Sequence, residues 1–152
     1  MLPEKSNNVV RYAAKELQNF LSQSLGGEVK TTKEPGEGLV HIYLGDSPAS
    51  RAAGIDVESL GRDEFVIRAS GGSIFIAGRD DPLSDPAKGG GLYERATLFG
   101  AYEFLERFAG CRFYFPGELG TVVPTSTEIV VEPCCLKVAP AMLIRRPYST
   151  TR

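Results

Sequence analysis

Bond-breaking chemistry in this chain would have to come from its carboxylates, its one histidine or its three cysteines. Two acidic pairs have the type and spacing to be considered. Glu103 and Glu106 stand one turn apart in a helical pattern, and Asp80 and Asp81 are neighbours in a long loop. Glycoside hydrolysis needs two carboxyl groups about 5–10 Å apart across the scissile bond. Charges on the open face of an amphipathic helix are ordinarily just solvated, whereas loops carry binding residues more often than the elements they join. Arg79, Asp80 and Asp81, with Tyr93 just past the far end of the same loop, are therefore the candidate substrate contacts. No residue is given a catalytic role.

The other reactive side chains offer less. His41 alternates with Leu39 and Tyr43 in a strand-like run, and no GxSxG or comparable nucleophile motif accompanies it, so it reads as a sheet-face histidine. Cys111, Cys134 and Cys135 form an odd set with no CxxC, which provides neither a disulfide framework nor a metal site. They are expected to act as small apolar residues, with no metal and no cofactor bound. The run KGGGLYE precedes a helix but lacks the order of a phosphate loop, and a hinge is the simpler reading. Phe113, Tyr114 and Phe115 could stack on a sugar; aromatics in a short strand more often divide between core and second face.

These residues need elements to hold them. Residues 9–25 place Val10, Ala13, Ala14, Leu17 and Leu21 on one helical stripe, with Ser6, Asn7 and Asn8 as caps and Gly26 as a stop. Residues 28–32 read as a polar edge strand and 39–44 as a strand buried on both faces. Residues 50–54 allow one helical turn. FVIRA and SIFIA, separated by Ser70, Gly71 and Gly72, predict a hairpin. A long loop follows over 78–91, then helical periodicity over 92–109 with Leu98, Ala101, Tyr102, Leu105 and Phe108 on one face. Short strands are expected at 111–115, 127–131 and 136–138, with a turn at 116–120 between the first two. That order is neither regular βαβ nor all-β; it predicts an α+β fold with two main helices on one face of a mixed sheet.

Composition narrows the functions. The chain has 152 residues, 42% of them apolar and 24% charged, enough to bury a core without disulfides. A net charge of −2 with scattered Lys and Arg gives no footprint for nucleic acid. Apolar runs fall far short of the roughly 20 residues that cross a bilayer, and the start MLPEK carries no signal-peptide pattern.

Three segments taken together resemble a known arrangement: the helix VVRYAAKELQNFLSQSLGG, the hairpin DEFVIRASGGSIFIAGRDD, and GLYERATLFGAYEFLERFAGCRFYFPGELGTVVP. They look like the N-terminal accessory domain of α-glucuronidases and related large bacterial carbohydrate-active proteins, similar in fold to the zincin-like domain before the barrel in β-hexosaminidases. The resemblance covers residues 9–132 and is most specific at the corner that includes Glu106, Arg112, Pro116, Gly117, Glu118 and Gly120. It implies one accessory domain over residues 1–138, an exit linker over 139–152, and a catalytic (β/α)-barrel downstream in the same polypeptide, since a barrel needs about 250 residues. It also implies oligo- or polysaccharide as a ligand class and an extracytoplasmic location. In the family a strand precedes the first helix, so the sheet edge here is expected either to lack it or to pair with something else. The corner is expected to be structural, with Arg112 pairing Glu118. A stand-alone carbohydrate-binding module is the alternative function, and a small hydrolase acting alone ranks last.

Overall fold

The computed structural model of the chain describes residues 1–3, 6–32, 34–88 and 93–141. Helix α1 spans Asn8–Leu25; Asn7 caps it by accepting from Val10 N at 2.9 Å, and Gly26 ends it with φ 63°. Strand β1, His41–Leu44, leads to the short helix α2, Pro48–Ala52, capped by Ser47. Strands β2, Phe65–Ser70, and β3, Ser73–Gly78, form the hairpin. Its two turn residues are Gly71 and Gly72, both at positive φ, which matches the twist of the flanking strands. Helix α3 spans Ala96–Phe108, followed by the two-residue strands β4, Arg112–Phe113, and β5, Thr121–Val122, and by β6, Cys134–Val138.

The sheet runs β1-β3-β2-β6, with β1 parallel to β3 and β2 antiparallel to both its neighbours. Because side chains alternate across a strand, Phe65, Ile67, Ala69, Ile74 and Ile76 all face one side. There they meet the stripes of α1 and α3, including Val9, Leu17, Phe104 and Leu105, in the main core. The expected α+β fold with two helices on one sheet face is what forms. Gly100 sets the depth of α3: a Cβ there would lie 2.7 Å from Ile76 Cγ2 and 3.1 Å from Phe65 Cδ2.

The other face is covered as well. Val66, Phe75 and Ala77 pack with Ile55, Val57 and Leu60 from residues 55–60, and Tyr43 stacks on Phe75 with ring centroids 5.0 Å apart. This second layer was not anticipated, because the segment has no long period and only the sheet gives its apolar residues a shared destination.

Several expectations need correction. Residues 28–32 form no strand; Val29 N is taken by Ser22 Oγ at 3.0 Å instead. The edge of β1 is met by the first residue of the chain: the Met1 amino group donates to Ile42 O at 2.6 Å, and Leu44 N donates to Met1 O at 3.1 Å. Those two bonds are the pattern of a parallel bridge opposite Tyr43. Leu39 and Val40 are 67% and 69% exposed, and the strand that forms, 41–44, lies at the sheet edge with only Leu44 buried, so the expected strand buried on both faces is not found. Residues 127–131 lie against the core through Ile129 and Val131 but join no ladder. Strand 111–115 is only two residues long, and α3 begins at Ala96. The expected exit linker lies outside the described residues beyond 141.

Candidate functional site

The predicted contact residues sit where the chain leaves β3 and returns into α3. Asp80 and Arg95 form an isolated antiparallel bridge, and Asp81 N donates to Glu94 O at 3.0 Å, so the loop is pinched at its base. Helix α3 has Arg95 at its N-cap, with no side-chain acceptor of its own. Asp80 supplies one from outside: its Oδ1 accepts from Thr97 N at 2.9 Å. The Thr97 hydroxyl is buried and bridges Gly78 N and Gly78 O. Arg79 holds Glu94 in a two-pronged pair at 2.7 and 2.8 Å, and Asp81 accepts from Leu83 N at 2.8 Å. Arg95 Nε donates to the buried Ser84 hydroxyl at 2.8 Å.

Electrostatics follow from these partners. Burial pushes the Asp80 carboxyl up to about 6, aided by the charge of Glu94 and opposed by donors from Thr97 and Asn7. The Arg79 guanidinium holds Glu94 below the usual carboxylate range, and Glu94 in turn raises Arg79. Arg79, Asp80 and Asp81 are thus brought together, and each has a structural bond to serve. Tyr93 is 42% exposed at the end of the loop. Of the other acids considered, Glu103 is joined to Arg107 at 2.7 Å on the surface of α3. His41 Nε2 accepts from Gly36 N at 2.9 Å, fastening a loop to the sheet edge. Among the described residues, no group of three or more His, Cys, Asp or Glu side chains is placed to hold a metal ion, and no helix is long and apolar enough to cross a membrane.

The corner after α3 is built from backbone. Gly110, with φ 71°, reverses the chain so that Cys111 N reaches Leu105 O at 3.0 Å, and Cys111 drops into the core. Arg112 does not pair with Glu118. Its Nη1 donates instead to Glu106 O, in the last turn of α3, at 2.8 Å and to Cys111 O, just beyond the helix, at 2.6 Å; a guanidinium is well placed beside the carbonyls at a helix C-terminus. Tyr114 N donates to Gly120 O, and Gly120 N to Gly117 O, closing the turn through the exposed Pro116 and Glu118. Gly120 has no room for a side chain because a Cβ would overlap Phe115 O. The three aromatics divide. Phe113 packs edge-on against Phe20 and Tyr102, with centroids 5.1 and 5.0 Å away, while Tyr114 and Phe115 are 71% and 58% exposed.

Between α1, α3 and this corner lies an open cleft of about 1100 Å³. Tyr12, Glu16 and Asn19 reach it from α1, Tyr102 and Glu106 from α3. Tyr102 donates its hydroxyl to Glu16 Oε2 at 2.7 Å, which ties the two helices. Sequence reasoning missed the α1 contribution. The signal was present in the spacing of Tyr12, Glu16 and Asn19, which share a helix face outside the apolar stripe.

No protein-family model matches the chain, and no curated protein matches it. Among solved structures it is similar to a family GH115 4-O-methyl-α-glucuronidase with specificity for decorated arabinogalactans, at 20% sequence identity and a TM-score of 0.52. That likeness covers 91% of this chain and 17% of the other, so the chain spans about a sixth of the enzyme it matches. At this identity the common property is the fold: the α+β layout described above occurs within a much longer glycoside hydrolase.

Proposed function

We propose that the chain is a non-catalytic domain of a carbohydrate-active enzyme of the α-glucuronidase-like kind, acting as a scaffold that packs against a catalytic barrel of the same polypeptide. The observation that carries this reading is the fold likeness, which takes in nearly all of this chain and a small part of a glycoside hydrolase. The use of the acidic groups supports it. Asp80 caps a helix, Glu94 holds Arg79 and Glu103 holds Arg107, so these carboxylates serve the scaffold. Retaining or inverting hydrolysis requires two carboxyls facing one bond across open space. The same reading carries an extracytoplasmic location.

The test has two arms. The 152-residue chain is assayed for release of 4-O-methylglucuronic acid from substituted oligosaccharides and for turnover of aryl glycosides; no turnover above buffer is expected. The coding sequence after Arg152 is then read and, if it encodes a barrel, the barrel is expressed with and without this chain. Loss of melting temperature or solubility on removal supports the scaffold role. Turnover by the chain alone, or a following sequence with no barrel pattern, refutes it.

A further inference from the structure

The chain has one histidine, and that residue holds a bond which a proton abolishes. Gly36 N donates to His41 Nε2 at 2.9 Å. A backbone amide can only donate, so Nε2 must offer a lone pair, which requires a neutral ring with its hydrogen on Nδ1. Protonation puts a hydrogen on Nε2 and turns the acceptor into a second donor facing the first. Histidine is the side chain whose charge ordinarily changes between about pH 5 and 8.

What the bond fastens is a strap. Residues 34–40 are exposed throughout, Leu39 and Val40 among them, so little buried apolar surface holds them in place. They border a cleft of about 520 Å³ with an apolar floor: Ala14, Leu17 and Leu21 from α1, Ile42 and Leu44 from β1. Leu39 folds back beside Gly36, where a Cβ would lie 3.1 Å from Leu39 Cδ1, so the residue that gives the bond also carries the strap's largest apolar side chain with it.

The charged groups nearby do not replace the bond once the ring is protonated. The strap itself bears Glu34, which lines the cleft, and the exposed Glu37. Glu28 and Lys30 line the same cleft and pair with each other at 3.2 Å. The Met1 ammonium at the sheet edge gives a hydrogen to Ile42 O. The polar side chain that α1 sends to the cleft is the uncharged Gln18, β3 sets Ser73 opposite His41, and the Tyr43 ring lies 6.3 Å from the imidazole. An imidazolium is drawn towards the two glutamates and repelled by an amide hydrogen.

We propose that His41 is a pH-sensitive latch: neutral, it holds the strap 34–40 to the sheet edge, and protonated, it lets the strap go and uncovers the apolar floor of the cleft. The strap is therefore fastened above the pH at which the ring loses its proton and released below it.

Because there is a single histidine, its ring nitrogens can be followed without overlap in long-range ¹H–¹⁵N spectra of the labelled 152-residue chain from about pH 4.5 to 8.5. The neutral ring should be the Nδ1–H tautomer, and the Gly36 amide should shift with the same midpoint as the ring. Exchange of the Gly36 amide, corrected for the pH dependence of an unprotected amide, should be about three- to tenfold faster when the ring is protonated. Over the same step, broadening of ¹³C-labelled Leu17 and Leu21 methyls by a neutral gadolinium chelate should increase. His41→Gln places an amide oxygen near the position of Nε2 and does not titrate, so the strap should stay fastened and the step should vanish; His41→Phe keeps a ring without an acceptor and should leave the strap released at every pH. An Nε2–H tautomer, a Gly36 amide that does not follow the ring, leucine methyls indifferent to the step, or a step that survives in His41→Gln overturns the proposal.

Discussion

Replacing Asp80 with asparagine pits two familiar effects against each other. A carboxylate at a helix N-terminus gains from the helix dipole, by about 0.3–1 kcal/mol and up to about 2 in favourable sites. Burial works the other way, and here it wins: the Asp80 carboxyl is pushed from 3.8 up to about 6 although it accepts from Thr97 N. The sign follows from comparing folded and unfolded chains. Below about pH 4 the group is protonated in both, and its stabilising contribution is complete. Between about pH 4 and pH 6 the unfolded chain gives up its proton first, so stability falls as pH rises. Above the folded value the loss is complete and amounts to no more than about 3 kcal/mol. Asn keeps an oxygen that can accept from Thr97 N and never ionises. The stability of Asp80→Asn relative to the parent should therefore rise from near parity at acid pH to an advantage of about 2–3 kcal/mol at neutrality. Urea unfolding followed by far-ultraviolet circular dichroism at a series of pH values measures the difference directly; the absence of tryptophan rules out its fluorescence as the probe. A difference that stays flat across this range, or a parent that gains on the variant as pH rises, would refute the reasoning. It would mean that the charged cap is worth more than its desolvation costs.

Two further predictions concern packing and the corner. Gly100→Ala brings a methyl group to 2.7 Å from Ile76 Cγ2; the strain of overpacking, about 1–3 kcal/mol, outweighs the helix-propensity gain of about 1 kcal/mol. A lowered denaturation midpoint is expected, and a raised one would show that α3 shifts freely on the sheet. Arg112→Ala removes the donor to Glu106 O and Cys111 O and should cost about 1 kcal/mol. Glu118→Gln should stay within about 0.5 kcal/mol of the parent, and a denaturant melt in which the two variants lose equally would revive an Arg112–Glu118 pair.

The amino-acid sequence by itself determined the parts of this protein governed by local periodicity and turn chemistry. The stripe from Val10 to Leu21, the hairpin closed by Gly71 and Gly72, and the stop at Gly110 all follow from side-chain spacing and from the freedom of glycine at positive φ. The two-helix, one-sheet layout follows from how those parts must bury their apolar faces. Tertiary structure decided the rest. Residues 28–32 and 127–131 carry strand-like patterns, yet a strand exists only where a neighbour offers a ladder, and β1 takes Met1 at its edge instead. The second layer over Phe75 appears only once Ile55, Val57 and Leu60 have a sheet face to reach. The same dependence governs the candidate sites. Asp80 and Asp81 look like free loop acids until the start of α3 is seen to lack an acceptor of its own, and Arg112 looks like a partner for Glu118 until the carbonyls of Glu106 and Cys111 prove nearer. The corner cleft joins Glu16 to Glu118 across more than a hundred positions of sequence. Spacing along a chain fixes which face a residue occupies, and only the packing of one element on another determines what that face meets.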